Sequence, residues 1–331
     1  MTFRRGSRGA AVAILSAALA LSGCRSVLRG SPGGAAYEMS VEASRALERA
    51  RNLSRGGDSA GAALLLEPFL AERPEIVPVH RLYQDLLLRS GPRDALVERY
   101  RAAIENGETA HGLLLLARLL PDGAEADALL SRATDLAPDN AWVRYARGYR
   151  EQTRGRLEAA LAEYERALEA DPGFPEALRE AGETSYLLHD EETASERFER
   201  LVALDPEERG AVNALAAVLL ERQEFVRAEE VLRAFLEVRP RDADAEIALS
   251  AVLVDSGQWD RAAVLLDELA ARHPRNAIVA FNRAVVAEVH ERDFAKALGL
   301  YQQYLDLGGE DTLRVTRWME KIRAGEVDAP P

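Results

Sequence analysis

The sequence predicts an all-α protein, an α–α superhelix of about eight helix hairpins closed by a terminal helix. Three observations carry that prediction. Prolines stand at Pro138, Pro172, Pro206, Pro240 and Pro274, with every successive difference equal to 34. The segments before four of them share one texture, ALAEYERALEADP, ASERFERLVALDP, AEEVLRAFLEVRP and AAVLLDELAARHP, with apolar residues at three- and four-residue steps. After each proline comes a second apolar-periodic run, such as WVRYARGYREQ or EALREAGETSYLL. Proline lacks an amide hydrogen and disfavours helix in the residue before it, so it ends one helix and lets the next begin. Each 34-residue unit is therefore a pair of helices.

The chain opens with Arg4, Arg5 and Arg8, an apolar run from Ala10 to Leu21, and then Leu21-Ser22-Gly23-Cys24. A basic start, a short apolar stretch and small residues before a cut site describe a secretory signal over 1–23, too short for a spanning helix. Leu21 to Cys24 resembles the lipobox of bacterial lipoproteins. That resemblance implies cleavage before Cys24 and acylation of its thiol, with palmitate-type chains on the mature N-terminus. Cys24 is the single cysteine, so no disulfide forms within the chain. Each buried methylene contributes about 0.8 kcal/mol and one acyl chain holds only marginally, so the two or three that the family carries make a stable anchor. Arg25 follows the cysteine where an Asp favours inner-membrane retention in enteric-type lipoproteins, which leans the expected location to the outer membrane, facing the periplasm. Cleavage removes three arginines and no acid, taking the formal charge from −13 to −16.

Residues 24–40, with RSVLRGSPGGAAY at their centre, are rich in Gly, Ser and Pro and lack periodicity, so they read as a lipidated N-terminus and flexible tether spanning roughly 20 Å. The repeats fill 41–324, best formed over 141–276, and 325–331 reads as a disordered tail. Upstream, Gly57, Ala62, Phe69 and Pro74 fit one repeat beginning near Ala43. Two further hairpins fill 77–140, but Pro74 and Pro138 are 64 apart, four residues short of two repeats, which places a deletion near Glu105 to Thr109. Downstream, in the unit Ala277 to Gly309, Ala297 and Tyr301 are shifted by one residue. TLRVTRWMEKIRA, Thr312 to Ala324, is the closing helix, and a more polar terminal helix is what a stack of repeats requires.

These units resemble the tetratricopeptide repeat (TPR) family. Gly148 matches the glycine of its first helix, and Ala160, Tyr164, Ala167 and Pro172 match the alanine, aromatic, alanine and closing proline of its second. The next repeat has Gly182, Ala194, Phe198 and Pro206. The following two have Ala228 with Pro240, then Gly257, Trp259, Ala262 and Pro274. Small residues belong where two helices cross and large ones between repeats. Ala160 is accordingly expected to be buried, and Glu163 beside it exposed. The resemblance implies a right-handed superhelix whose first helices line a concave groove. By register, groove positions include Trp142, Tyr145, Tyr149, Arg179, Glu183, Tyr186 and Asn213, and aromatic and Arg side chains are enriched at protein-binding hot spots. Some of these side chains could equally pack between helices. The Lys/Asn set by which chaperone-binding members grip a C-terminal carboxylate does not reappear.

Composition and motifs argue against other classes. With 55 acidic and 42 basic residues, interspersed, the surface repels a phosphate backbone, so no nucleic-acid partner is expected. Gly57-Asp58-Ser59-Ala60-Gly61 formally matches a hydrolase nucleophile elbow, but it falls in the turn of a hairpin with no strand before it. His80, His111, His189, His273 and His290 are scattered without the spacing of metal ligands. No phosphate-binding glycine loop is present. The expectation is a non-enzymatic, lipid-anchored adaptor with no cofactor, binding protein partners of the bacterial envelope in assembly of a secretion, pilus or outer-membrane complex. The alternative is an envelope enzyme with an active site built within the groove.

Overall fold

A computed structural model of the chain describes residues 41–72 and 75–326. The signal segment 1–23, Cys24, the tether to residue 40, Pro74 and residues 327–331 of the tail lie outside the described residues. Among the described residues there are seventeen α-helices, one π-helical turn and no strand. No helix among them is long and apolar enough to cross a membrane.

The helices run α1 (Val41–Arg55), α2 (Ser59–Glu72), α3 (Val77–Ser90), α4 (Arg93–Asn106), α5 (Ala110–Leu119), α6 (Ala124–Leu136), α7 (Ala141–Thr153) and α8 (Leu157–Ala170). They continue as α9 (Pro175–Leu187), α10 (Glu191–Leu204), α11 (Arg209–Glu221), α12 (Phe225–Val238), α13 (Ala243–Asp255), α14 (Trp259–Arg272), α15 (Ala277–Val286), α16 (Phe294–Asp306) and α17 (Thr312–Arg323). Odd-numbered helices up to α15 are the first members of eight hairpins, and α17 is the closing helix. The chain packs as two compact units that meet in sequence at Asp205 and Pro206.

In the first unit, α7 packs on α8 and α9 on α10, and α9 also lies against α8. The repeat-signature residues hold those crossings. A Cβ on Gly148 would sit 2.6 Å from the Tyr164 ring, and one on Gly182 would sit 2.8 Å from Phe198. Both distances are too short for any side chain, so glycine is required. Ala160, Tyr164, Ala167, Ala194 and Phe198 are fully buried, as are Ala228 and Ala262 in the second unit. Pro172, Pro206, Pro240 and Pro274 each follow the residue that caps the C-terminus of a second helix (Asp171, Asp205, Arg239, His273). Gly257 departs from the helix-crossing role. It is the left-handed residue of the α13–α14 turn, at φ +74°.

That turn conformation has its own 34-residue period: Gly155, His189, Gln223 and Gly257 all have φ between +59° and +74°. The helix starts repeat as well. Asn140, Asp242 and Asn276 each accept a hydrogen bond from the backbone N–H three residues on, at 3.1–3.2 Å, closing off a donor the helix leaves open.

Both irregularities of register have a structural form. Helix α5 is ten residues long where α7, α9, α11 and α13 have thirteen, and it begins at Ala110, directly after the interval Glu105 to Thr109. In the last repeat, α15 continues into a π-helical turn, Ala287–Glu291, closed by Arg292 in the left-handed region at φ +56°. A π turn accommodates one inserted residue without ending the helix. That residue is why Ala297 and Tyr301 stand one place late. Both are buried, and the Tyr301 hydroxyl donates to Glu288 at 2.8 Å.

A second expectation fails. Glu163 is buried, not exposed. It accepts from Arg166 at 2.9 Å and from Arg144 at 3.3 Å, and Arg147 lies 3.5 Å away. Three guanidinium groups from two helices draw this carboxylate inward, a contact that helical periodicity does not reveal.

Candidate functional site

The first helices of the first unit bring a set of aromatic and charged side chains to one place. Trp142 and Tyr145, one turn apart on α7, meet edge to face with ring centroids 5.7 Å apart. Phe174 lies 4.6 Å from Trp142 and 5.5 Å from Tyr145, and Tyr164 is 5.8 Å from Tyr145. Burial pushes the Tyr145 hydroxyl up to about 12, partly opposed by the positive charge of Arg81. Arg81 comes from α3, two hairpins away. Its guanidinium carbon sits 5.2 Å from the centre of the Trp142 ring and 5.1 Å from that of Tyr145, within range of cation–π attraction. Its Nη2 reaches the Tyr145 hydroxyl at 3.4 Å, a weak contact.

Two further helices supply charge. Burial opposes the charge of Arg81, but Tyr145 and then Glu176 of α9 more than offset it and raise its pKa. Arg51, on α1, has its pKa lowered by burial, with Glu176 the largest opposing influence. Burial raises the Glu180 carboxyl on α9, against a hydrogen bond from Gln152 and the charge of Arg179. Three first helices, α3, α7 and α9, thus place a cation, carboxylates and rings around one another. Such a set can hold a polypeptide segment through ring stacking, hydrogen bonds and charge.

The residues singled out by register fall into distinct environments. Tyr149 is 52% exposed, and Trp142, Glu183 and Tyr186 are half-buried. Tyr145 and Arg179 are buried at 7% and 6% exposure, so they support the surface from behind. Asn213 lies on α11 of the second unit and is buried. The residues missed were Arg51, Arg81, Glu176 and Glu180. A signal for the arginines exists, since Arg81 follows Val77 as Tyr145 follows Ala141, and Arg51 follows Ala43 as Tyr149 follows Ala141. The deletion ahead of α5 breaks the count that would have carried that register upstream.

The scattered histidines do other work. His80 is buried and shares a 2.8 Å hydrogen bond with the Tyr100 hydroxyl, and burial then Arg99 lower its pKa to about 4. His111 bonds Asn140 at 3.2 Å, and His290 bonds Asp260 at 2.9 Å. Among the described residues no three His, Cys, Asp or Glu side chains cluster as a metal site. Ser59 begins α2, and Gly57 before it is a left-handed turn residue at φ +91°.

A family model described as tetratricopeptide repeat matches residues 188–246 and 247–312, and a second of the same description matches 140–184. The Arabidopsis thaliana protein named CTR9 homolog is 34% identical over 93 residues, which is 28% of this chain and only 8% of that protein's length. Among solved structures, a chain of the APC/C hetero-tetramer Cut9–Hcn1 is similar with a TM-score of 0.54 and 16% identity, over 84% of this chain and 55% of the other. YrrB, described as a TPR protein with an unusual peptide-binding site, has a TM-score of 0.47 and 21% identity, over 60% of this chain and 98% of its own. The fold is of the α–α superhelix class, and family and fold point to a scaffold for protein–protein interaction. Matched by these models over about half its length, the chain belongs to the tetratricopeptide repeat family.

Proposed function

We propose that this chain is a non-catalytic adaptor lipoprotein of the bacterial envelope, anchored through Cys24, that binds a segment of a partner protein on the first helices of its first unit. The observation that carries the reading is the convergence of Arg81, Trp142, Tyr145 and Glu176 from three first helices, with Tyr149 exposed on α7. Rings and arginines at a partly desolvated centre are the composition of binding hot spots. Anchoring and location rest on the Arg-rich start, the apolar run and Leu21-Ser22-Gly23-Cys24. Service to a secretion, pilus or outer-membrane assembly is part of the same proposal.

The test is affinity capture from detergent-solubilised envelope, comparing the native chain with a Trp142→Ala, Tyr149→Ala double variant of unchanged helical circular dichroism. Truncated hot spots cost at least about 2 kcal/mol each, so the partner should be lost from the variant. Undiminished capture would move the binding surface elsewhere. Anchoring is tested separately: Cys24→Ser should leave the membrane fraction, and unchanged acyl labelling of that variant would exclude the lipid anchor.

A further inference from the structure

Arginine in this chain is ordinarily held by carboxylate. Arg154 lies 2.5 Å from Asp122 and 2.7 Å from Asp127, Arg197 lies 3.0 Å from Glu165, and Arg283 lies 2.6 Å from Asp267 and 2.7 Å from Glu291. With 55 acidic residues to 42 basic ones, a half-buried arginine has carboxylates in excess to choose from. Arg51 and Arg81 are half-buried and take none. Arg51 makes no hydrogen bond or ion pair with any described residue, and the polar contact of Arg81 is the weak one to the Tyr145 hydroxyl. The rings of Trp142 and Tyr145 hold the Arg81 charge by a contact that consumes none of its five N–H donors. Glu176 is close enough for its charge to act on both arginines, yet it is bonded to neither.

The nearby charge of Glu176 compensates Arg81 without bonding it, so most of the guanidinium N–H donors are left for a ligand to pair. Guanidinium groups are also suited to bidentate contact with carboxylate. We propose that Arg81 forms an anion-binding site for the acidic side chains of an extended partner segment, with Trp142 and Tyr145 as its aromatic floor and Glu176 as the like charge that the segment must displace. The inference rests on the first unit's being the protein-binding surface, and it adds the chemistry of the partner: a segment carrying Asp or Glu, read through side chains and not through a free C-terminus. The alternative occupant, a basic segment drawn to Glu176 and Glu180, predicts the opposite response at Glu176.

The experiment titrates the full chain with short fluorescent peptides, acetylated and amidated so that no terminal charge remains. They share one backbone and carry Glu, Gln or Lys at alternate positions, and a Gln peptide with a free C-terminus is a fourth arm. Charge-assisted hydrogen bonds predict that the Glu peptide binds at least about tenfold more tightly than either Gln peptide. Arg81→Gln should lose about tenfold of that, and the preference should shrink with added salt. Glu176→Gln should strengthen Glu-peptide binding severalfold, a gain that a merely unfolded variant cannot produce. Equal affinities, preference for Lys or for the free C-terminus, no binding of the Glu peptide, or weaker Glu-peptide binding by Glu176→Gln would each overturn the proposal. If partner capture depends on Trp142 and Tyr149 while the Glu peptide is not preferred, the anion site alone falls. If capture is indifferent to those rings, the reading beneath it falls.

Discussion

Helices α9 and α11 occupy the same place in successive 34-residue repeats and have opposite characters. Helix α9 keeps Glu176, Glu180, Glu183 and Tyr186 half-buried along one side while Ala177, Leu178, Ala181 and Gly182 are buried. In α11 every residue from Gly210 to Leu220 is buried. Helix α13 behaves similarly, with Leu249 to Val254 buried throughout. A helix that keeps a polar stripe can present it, whereas one that is apolar all round must be covered all round. The repeat positions at both crossings are filled and buried, Gly182 against Phe198 in one and Ala228 and Leu232 on the helix that follows the other. The repeat frame therefore sets how helices meet. The remaining faces are what differ: α9 presents a polar stripe and α11 does not.

Exchanging one residue should break that contrast most sharply. Ala214 stands in α11 where Glu180 stands in α9, and it is 1% exposed. Ala214→Glu would bury an unpaired carboxyl and should cost at least about 3 kcal/mol in denaturant unfolding. The reverse change, Glu180→Ala, removes a carboxyl that burial already disfavours and should stay within about 0.5 kcal/mol. Equal costs would mean that the two helices do not differ in kind.

The units should also respond oppositely to pH. His80 in the first unit has its pKa lowered from 6.5 to about 4, so between those values the folded state binds fewer protons than the unfolded. Its contribution is complete above about pH 6.5 and is lost as pH falls towards 4, by up to about 3 kcal/mol. Asp255 in the second unit is raised by burial from 3.8 to about 7. There the folded state binds more protons, so stability is fullest below about pH 4 and declines by about 4 kcal/mol as pH rises to 7. Relative to the native chain, His80→Gln should flatten the acid limb of a stability–pH curve. Asp255→Asn should add stability at pH 7.5 and none at pH 4. Parallel curves for all three proteins would remove the contrast.

Within the first unit, Ala160→Leu should overpack the α7–α8 crossing and cost about 1–3 kcal/mol. Glu163→Leu leaves Arg144 and Arg147 without their shared carboxylate and should cost about 1–3 kcal/mol as well. A harmless Glu163→Leu would mean that these ion pairs contribute nothing. The smallest effect lies in the turns. Gln223 adopts φ +61° where Gly155 and Gly257 adopt +73° and +74°, so Gln223→Gly should stabilise by up to about 1 kcal/mol. A lower melting temperature would show that the Gln223 side chain contributes more than its backbone strain costs.

Much of the frame was legible beforehand because it rests on local chemistry. Prolines at a fixed interval mark the break between one helix pair and the next, and Gly148, Ala160 and Tyr164 announce a close crossing by size alone. The turn period was half hidden, since glycine fills the left-handed position at 155 and 257 but His189 and Gln223 fill it between them. The shift at Ala297 was visible as a count, but its resolution as a π turn over Ala287–Glu291 depends on how the inserted residue is absorbed.

What the amino-acid order determined by itself is therefore the class of fold, the hairpin boundaries and the small and large residues at each crossing, because backbone conformation and packing volume act between near neighbours. Only the tertiary structure decided which groove-register residues face outward and what they meet. Tyr145 and Arg179 occupy the same repeat position as Arg81, yet the first two are buried and Arg81 sits half-exposed over two rings. Burial and charge pairing depend on what folds back from dozens of residues away. Arg81, Trp142 and Glu176 belong to three different hairpins, and no period in the sequence states that they converge.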